Sequence, residues 1–222
     1  MASYHIRRYR ESDRKQVLEL YCWGMAQYYS ITFRHLLKLP RTHVLLLGGP
    51  LALYLASGSW ALALLADVAL LGTLWLLARY IWLNIMNESL LTDMADITKA
   101  YFSEPGSCFW VAECREKVVG IVACLQVGDP TLRGKQVELV HMFVALEHRG
   151  QGLAKSLVRT LLQFARDQGY REVVLSTTIL HRVAHRLYQG LGFRRTHTYY
   201  ASIIWRIAAI PIIYFVCPLP SV

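Results

Sequence analysis

The chain has 222 residues, enough to bury one sizeable core and to make at most two domains. Hydrophobic residues account for 55% of it and the mean hydropathy is positive, above the apolar share of an ordinary water-soluble domain, so a membrane segment is expected. The formal charge of +9 favours polyanions, but the basic residues form no long run, which argues against nucleic acid; five cysteines without a Cys-x-x-Cys pair exclude a disulfide framework and a zinc site, and fit folding in a reducing compartment.

Tyr4–Tyr9 (YHIRRY) alternates as a short strand. Arg7, Arg8, Arg10, Arg14 and Lys15 stand among acidic residues with no apolar run of signal length, so no cleavable secretory signal is expected. Ser12-Asp13 reads as a helix start, followed by the helical stripe Val17, Leu18, Leu20, Tyr21 and Met25.

An apolar insertion follows. Thr42 to Ala78 is 37 residues with Asp67 the only formal charge, and Val44 to Ala66 is charge-free for 23 residues, enough to span a bilayer core of ~30 Å. Gly48-Gly49-Pro50 and Ser57-Gly58-Ser59 allow a bend, and hence a helical hairpin. Arg34, Lys38 and Arg41 precede the stretch, Arg79 follows it, and Trp75, Tyr80 and Trp82 mark an interface, a pattern that puts both ends on the cytosolic side. The alternative is a pair of core helices buried within the protein.

After the insertion, Leu90, Met94, Ile97 and Tyr101 recur at helical spacing up to Pro105-Gly106. Cys108–Cys114 reads as a strand, Arg115-Glu116-Lys117 as a turn, and Val118–Val127 as the returning strand. Gly128-Asp129-Pro130 opens a loop before a third strand, Gln136–Val144. Leu153, Leu157, Leu161 and Phe164 mark a helix that stops at Gly169. A strand at Glu172–Thr177, a helix at Ile179–Leu191 ended by Gly192, and a strand-like Arg194–Ile207 complete the order. The tail to Cys217 stays apolar, and Ile203–Cys217 is compatible with a last strand, a membrane-surface element, or both. Strands and helices in this order make an α+β, mixed-sheet domain rather than a doubly wound nucleotide fold.

The most informative segment is Val144–Ala154, where a strand meets a turn with two glycines and a helix begins at once. Glycines let backbone approach a ligand closely, and the free N–H groups and dipole of a helix start suit a pyrophosphate. Arg149 and Lys155 add positive charge. Taken alone, the same pattern also fits an ordinary strand-to-helix turn.

Arg149-x-x-Gly152-x-Ala154 resembles the R/Q-x-x-G-x-G/A signature of the GNAT acetyltransferases. Leu187–Phe193 (LYQGLGF) is similar to that family's LYxxxGF helix end, and HIRRYRESDRKQV to its opening strand and helix. The likeness covers Tyr4–Arg34 and Ser89–Ile207. FRHLLKLPRT, the apolar insertion, LTDMADITKAYF and QFARDQGY further resemble the camello-like membrane N-acetyltransferases.

The resemblance implies a GNAT fold, a mixed and mostly antiparallel central sheet flanked by helices, interrupted by a membrane hairpin. The expected division is 1–35 and 86–207 for the acetyltransferase domain, 36–85 for the insertion and 208–222 for the tail. The implied donor is acetyl-CoA with no metal, held by Met142, Phe143 and Val144 and by Arg149, Gly150, Gln151, Gly152, Leu153, Ala154, Lys155 and Ser156. Camello-like enzymes sit in the endoplasmic reticulum membrane. Members acetylate cysteine S-conjugates to mercapturates, related members are linked to lysine acetylation of secretory-pathway proteins, a further relative acetylates aspartate, and some have been tied to cell adhesion. The implied partners are therefore a lipid membrane and a small amine or a protein lysine.

Acetyl transfer to an amine asks for a base, a polarised carbonyl and an acid. By analogy with the family, backbone N–H groups near Phe143 and Val144 hold the carbonyl and Tyr188 faces the CoA sulfur; the other reading of Tyr188 is a core tyrosine. Glu138 or His141 is the base, with Glu138 preferred. Simple alternation puts His141 across the strand from Glu138, where it would be a core histidine. His181 and His185 are spaced i, i+4 but lack a third ligand, so a solvated or CoA-facing pair is expected rather than a metal site. Cys108 and Cys114 are read as core packing. Because strands precede and follow the insertion, it must leave and return on one face of the membrane.

Overall fold

The computed structural model describes residues 4–220. The strands are β1 (His5–Arg8), β2 (Cys108–Cys114), β3 (Lys117–Gln126), β4 (Gln136–Val144), β5 (Glu172–Thr178), β6 (Arg194–Tyr199) and β7 (Ile212–Pro218). They form one seven-stranded sheet in the order β1-β2-β3-β4-β5-β7-β6, antiparallel except for the parallel β4–β5 pair. The helices are α1 (Arg14–Leu37), α2 (Pro40–Ser57), α3 (Trp60–Leu91), α4 (Ile97–Phe102), α5 (Leu153–Asp167), α6 (Arg182–Gln189) and α7 (Ile203–Ile207).

The sheet is covered on both faces. Leu153, Leu157, Val158, Leu161 and Leu162 lay the apolar stripe of α5 against Val137, Leu139 and Val173 on one face, with α6 beside it. On the other face Val17, Tyr21 and Met25 of α1 and Ala78, Ile81 and Trp82 of α3 pack with Tyr101 of α4 and Trp205 of α7. Burial of each such side chain stabilises by roughly 1.5–3 kcal/mol. Arg7 fastens β1, donating to both oxygens of Asp13 at 2.7 and 2.9 Å and to Glu113 at 2.8 Å.

Helices α2 and α3 pack together as a hairpin. Gly58, at φ 68°, caps α2, and Ser59 Oγ accepts from Leu62 N at the start of α3. The expected second breaker does not act: α2 runs unbroken through Gly48, Gly49 and Pro50. A proline interrupts one backbone bond, and its neighbours keep theirs. Helix α3 is long and apolar enough to cross a membrane, and only 11% of its most apolar stretch is covered by protein. Leu64, Leu65, Val68 and Leu76 are all more than half exposed, so the insertion is not a pair of buried core helices. Its two roots, the end of α1 and Ala78–Trp82 of α3, lie in the same core and therefore on the same face of the domain.

Three segments differ from the sequence reading. The single helix expected around Leu90–Tyr101 is the end of α3, a turn, and a short α4 whose cap Asp96 accepts from Lys99 N at 2.8 Å. The strand-like Arg194–Ile207 divides into β6 and α7. Within the apolar tail the last-strand alternative holds for Ile212–Pro218, which is β7, but it is threaded between β5 and β6 with both neighbours antiparallel rather than added at an edge. Hydropathy alone cannot distinguish an apolar surface segment from a strand inside the sheet, because the distinction is made by the pairing.

Candidate functional site

Strands β4 and β5 pair only from Gln136–Glu138 against Glu172–Val174. Beyond that, β5 stays with β7 as far as Thr178 and β4 stays with β3, so the two strands splay. From Leu139 onward the β4 groups that point toward β5 have no strand partner. A cavity of about 720 Å³ lies at this opening. Tyr21, Tyr28 and Met25 of α1, Trp82 and Ile85 of α3, and Trp205 of α7 wall it. Tyr28 stacks on Trp82 at 4.7 Å between ring centres, and His181 lies tilted against it at 4.1 Å. Glu138, His141 and Tyr188 face the same space, and no Lys or Arg lines it among the described residues.

A β-bulge sets the floor of the cavity. Ile121 pairs with Phe143 but Ala123 pairs with Val140, so β4 carries one extra residue there. His141 takes up the excess with φ 51°, a left-handed conformation unusual for a side-chain-bearing residue. The bulge corrects the alternation argument: His141 lies on the same side as Glu138, not across the strand in the opposite core. Its Nε2–H donates to Asp93 Oδ2 at 2.5 Å and its ring meets the edge of Tyr21. Tyr101 donates its hydroxyl to the same Asp93 oxygen. Burial would raise the Asp93 carboxyl, but the bonds from His141 and Tyr101 outweigh it and hold the group below the usual carboxylate range, so Asp93 is an anion. The sequence reading did not single out Asp93; a carboxylate in a turn after a helix carries no signal that it reaches a strand.

Burial raises the Glu138 carboxyl above its ordinary value, with the neighbouring His141 pulling the other way. Tyr188 is 5% exposed and packs on Phe193 and Phe215. Burial, reinforced by Tyr28, holds its phenol well above the usual range, which keeps it a proton donor. The Tyr188 ring is in the core, and its edge lines the cavity.

His181 and His185 are half-buried and make separate local contacts. His185 Nε2 donates to the carbonyl of Thr178 at 2.9 Å. His181 Nδ1 meets Thr177 Oγ1 at 2.8 Å, and its Nε2 is sealed from solvent without a partner. Burial pushes its pKa down to about 3, so the ring is neutral at pH 7. All five cysteines are free, and Cys108 and Cys114 are buried in the α5-side core. Among the described residues no three His, Cys, Asp or Glu side chains are placed to hold a metal ion.

The glycine turn follows β4. Gly150 and Gly152 sit at φ 75° and 81°, and nothing lies within 4 Å of where a Cβ would stand on either. The bend is therefore open rather than filled by its own side chains. Gly152 caps the start of α5, leaving the first N–H groups of the helix facing out beside exposed Lys155 and Ser156. The Leu153 side chain is in the core, so only its backbone can meet a ligand. Arg149 braces the turn: Nε donates to the Val144 carbonyl at 2.9 Å, an Nη donates to Gln27 Oε1 at 3.0 Å, and the guanidinium lies over Trp23. Gln151 accepts from the Tyr4 hydroxyl at 2.6 Å, tying the turn to the opening of the chain. Met142 and Phe143 follow the bulge, with Phe143 packed on Gly24 of α1.

A mixed sheet splayed between two parallel strands, with an open glycine turn and a helix start at the end of the first, defines an acetyltransferase of the GNAT class. The Acetyltransferase (GNAT) family description matches residues 75–193. Human N-acetyltransferase 8B is 57% identical over 221 residues, covering 100% of this chain and 97% of its own length; human N-acetyltransferase 8 is 55% identical with the same coverage. Mouse N-acetyltransferase 8F1 is 52% identical, with both chains covered in full. A solved GNAT acetyltransferase from Staphylococcus aureus covers 98% of this chain and 100% of its own at TM-score 0.58 and 14% identity, a likeness of fold. The chain belongs to the N-acetyltransferase 8 family, the camello-like branch of the GNAT acetyltransferases, and is an acyl-CoA N-acetyltransferase.

Proposed function

We propose that the chain is a membrane-bound enzyme of the endoplasmic reticulum that acetylates the α-amino group of cysteine S-conjugates, with its acetyltransferase domain on the cytosolic side. The observation that carries this reading is the aromatic wall of Tyr28, Trp82 and Trp205 around Glu138 and Tyr188, which suits an amine with a bulky apolar substituent. The apolar helix α3 and the shared core of the two hairpin roots support the membrane placement.

Acetyl-CoA supplies the activated acetyl group. The N–H groups of Gly150–Ser156 would receive its pyrophosphate, with Lys155 close by and Arg149 fixing the turn. The unpartnered β4 edge around Met142, Phe143 and Val144 offers N–H donors to the acetyl carbonyl. Glu138 takes the proton from the attacking amine, directly or through water, with His141 beside it on the bulge. The Tyr188 hydroxyl returns a proton to the departing thiolate.

One observation favours a second acceptor. An α-amino acid brings a carboxylate, yet among the described residues the cavity lining contains Glu88 and Glu138 and no Lys or Arg. That balance suits the ε-amino group of a protein lysine, whose neighbourhood need carry no anion. The third reading, a catalytically silent scaffold acting in cell adhesion, leaves the raised Glu138 carboxyl and the cavity-facing Tyr188 without a use.

Labelled acetyl transfer from acetyl-CoA by membranes containing the chain separates these readings. S-benzyl-cysteine should be acetylated and should suppress labelling of a lysine peptide. Labelling of the peptide alone would overturn the conjugate reading, and labelling of neither would favour the scaffold.

A further inference from the structure

We propose that α7 and the tyrosines before it form a second membrane contact, laid on an anionic bilayer surface beside the α2–α3 hairpin and over the acceptor cavity. The proposal rests on the reading of α3 as membrane-embedded.

Helix α7 is apolar on both sides. Trp205 and Ala208 anchor it in the core, while Ile203 and Ile207, one turn apart, are 66% and 55% exposed. Tyr199 and Tyr200, at the end of β6, are exposed beside them. Such a patch is poorly placed in water but suited to the headgroup region, where tyrosine is favoured.

Charge identifies what covers it. After Glu172 the chain carries Arg182, Arg186, Arg194, Arg195 and Arg206 and no Asp or Glu. All five arginines are exposed, and none is in an ion pair among the described residues. Arg206 lies within α7 itself, and Arg194 and Arg195 lie on the adjoining β6; positive charge without acidic residues next to an apolar strip complements anionic lipid.

Continuity with the hairpin fixes the position. His35, at the end of α1, donates Nε2–H to the carbonyls of Ala208 at 3.2 Å and Ala209 at 3.1 Å. Trp205 packs on Trp82 of α3 at 5.9 Å. The helical stretch Trp60–Ala78 would be about 28 Å long, close to the bilayer core of ~30 Å, which sets Arg79 at the boundary and Trp82 within a turn of it. Helix α7 is thus tied to both roots of the hairpin where they meet the membrane. Ala201, Ser202, Ile204 and Trp205 also line the acceptor cavity, so an amphiphilic acceptor reaches Glu138 past α7 from the lipid surface.

The full chain in vesicles, carrying a fluorophore on Ile203→Cys or Ile207→Cys, tests this by quenching with doxyl-labelled lipid. Leu71→Cys on α3 and Thr131→Cys on an exposed loop serve as controls, and the unsubstituted chain gives the background from its own cysteines. Labels at 203 and 207 should be quenched several-fold more than the label at 131, and more in vesicles containing phosphatidylserine than in phosphatidylcholine alone. If they match the label at 131 while the label at 71 is quenched, the proposal fails. If the label at 71 is also unquenched, the membrane reading of α3 fails with it. The paired change Ile203→Glu/Ile207→Glu should raise KM several-fold for a lipid-partitioning amine and leave KM for acetyl-CoA unchanged; equal KM for that amine would overturn the route past α7.

Discussion

His141 donates its Nε2 proton to Asp93 at 2.5 Å across a separation of 48 residues, joining the bulge of β4 to the turn that ends α3. This bond fixes the ring that shares the cavity floor with Glu138. Asp93→Asn keeps the shape and removes the charge. It is expected to lower kcat on the order of 100-fold with KM for acetyl-CoA unchanged, measured by steady-state kinetics. The native Asp93 carboxyl lies below its unfolded value. Its contribution to stability is therefore present above the unfolded pKa of about 3.9 and lost as pH falls through the lower native value. Thermal melts of the Asn variant should show a flatter loss in that acidic window.

Glu138 acts as a base only when ionised, and burial raises its carboxyl. Activity should rise with pH through a limb displaced above the ordinary glutamate value of about 4.3. Glu138→Gln should remove that limb and lower kcat/KM by roughly 100-fold or more. A pH profile whose acid limb survives the substitution would transfer the role to His141.

Tyr188→Phe keeps the packing on Phe193 and Phe215 and removes one hydroxyl. If that group protonates the thiolate, kcat falls by roughly 100-fold while acetyl-CoA affinity, measured by calorimetry, and melting temperature stay near those of the unsubstituted chain.

Gly152→Val puts a β-branched residue at φ 81° and fills the open side of the turn. The left-handed conformation costs about 1–2 kcal/mol, and the side chain blocks approach to the first N–H groups of α5. Acetyl-CoA affinity should drop at least about tenfold, since tenfold corresponds to about 1.4 kcal/mol.

Gly24→Ala tests the fit of α1 on β4. A Cβ there would stand 2.2 Å from Cδ1 of Phe143, so the ring must move. The expected cost is about 1–3 kcal/mol, read as a lower melting temperature. Because Phe143 follows the bulge, kcat should fall with it.

Local chemistry was legible from the residues alone. The turn residues that bound the apolar runs Cys108–Cys114 and Gln136–Val144 marked strands with those bounds, and Gly150, Gly152 and Gly169 stand at positive φ where a turn or helix end needs them. The charge-poor run before Arg79 gave the apolar hairpin, because a missing charge is a property of composition. Tertiary structure decided the rest. Pairing chose the strand among the readings open for the tail and set β7 between β5 and β6, since ladder partners are supplied by distant segments. One extra residue opposite β3 turned His141 toward Glu138, and only the packing of α3 brought Asp93 to it. Nothing within a few residues of either side chain encodes that meeting, because its energy comes from contacts closed by the whole sheet.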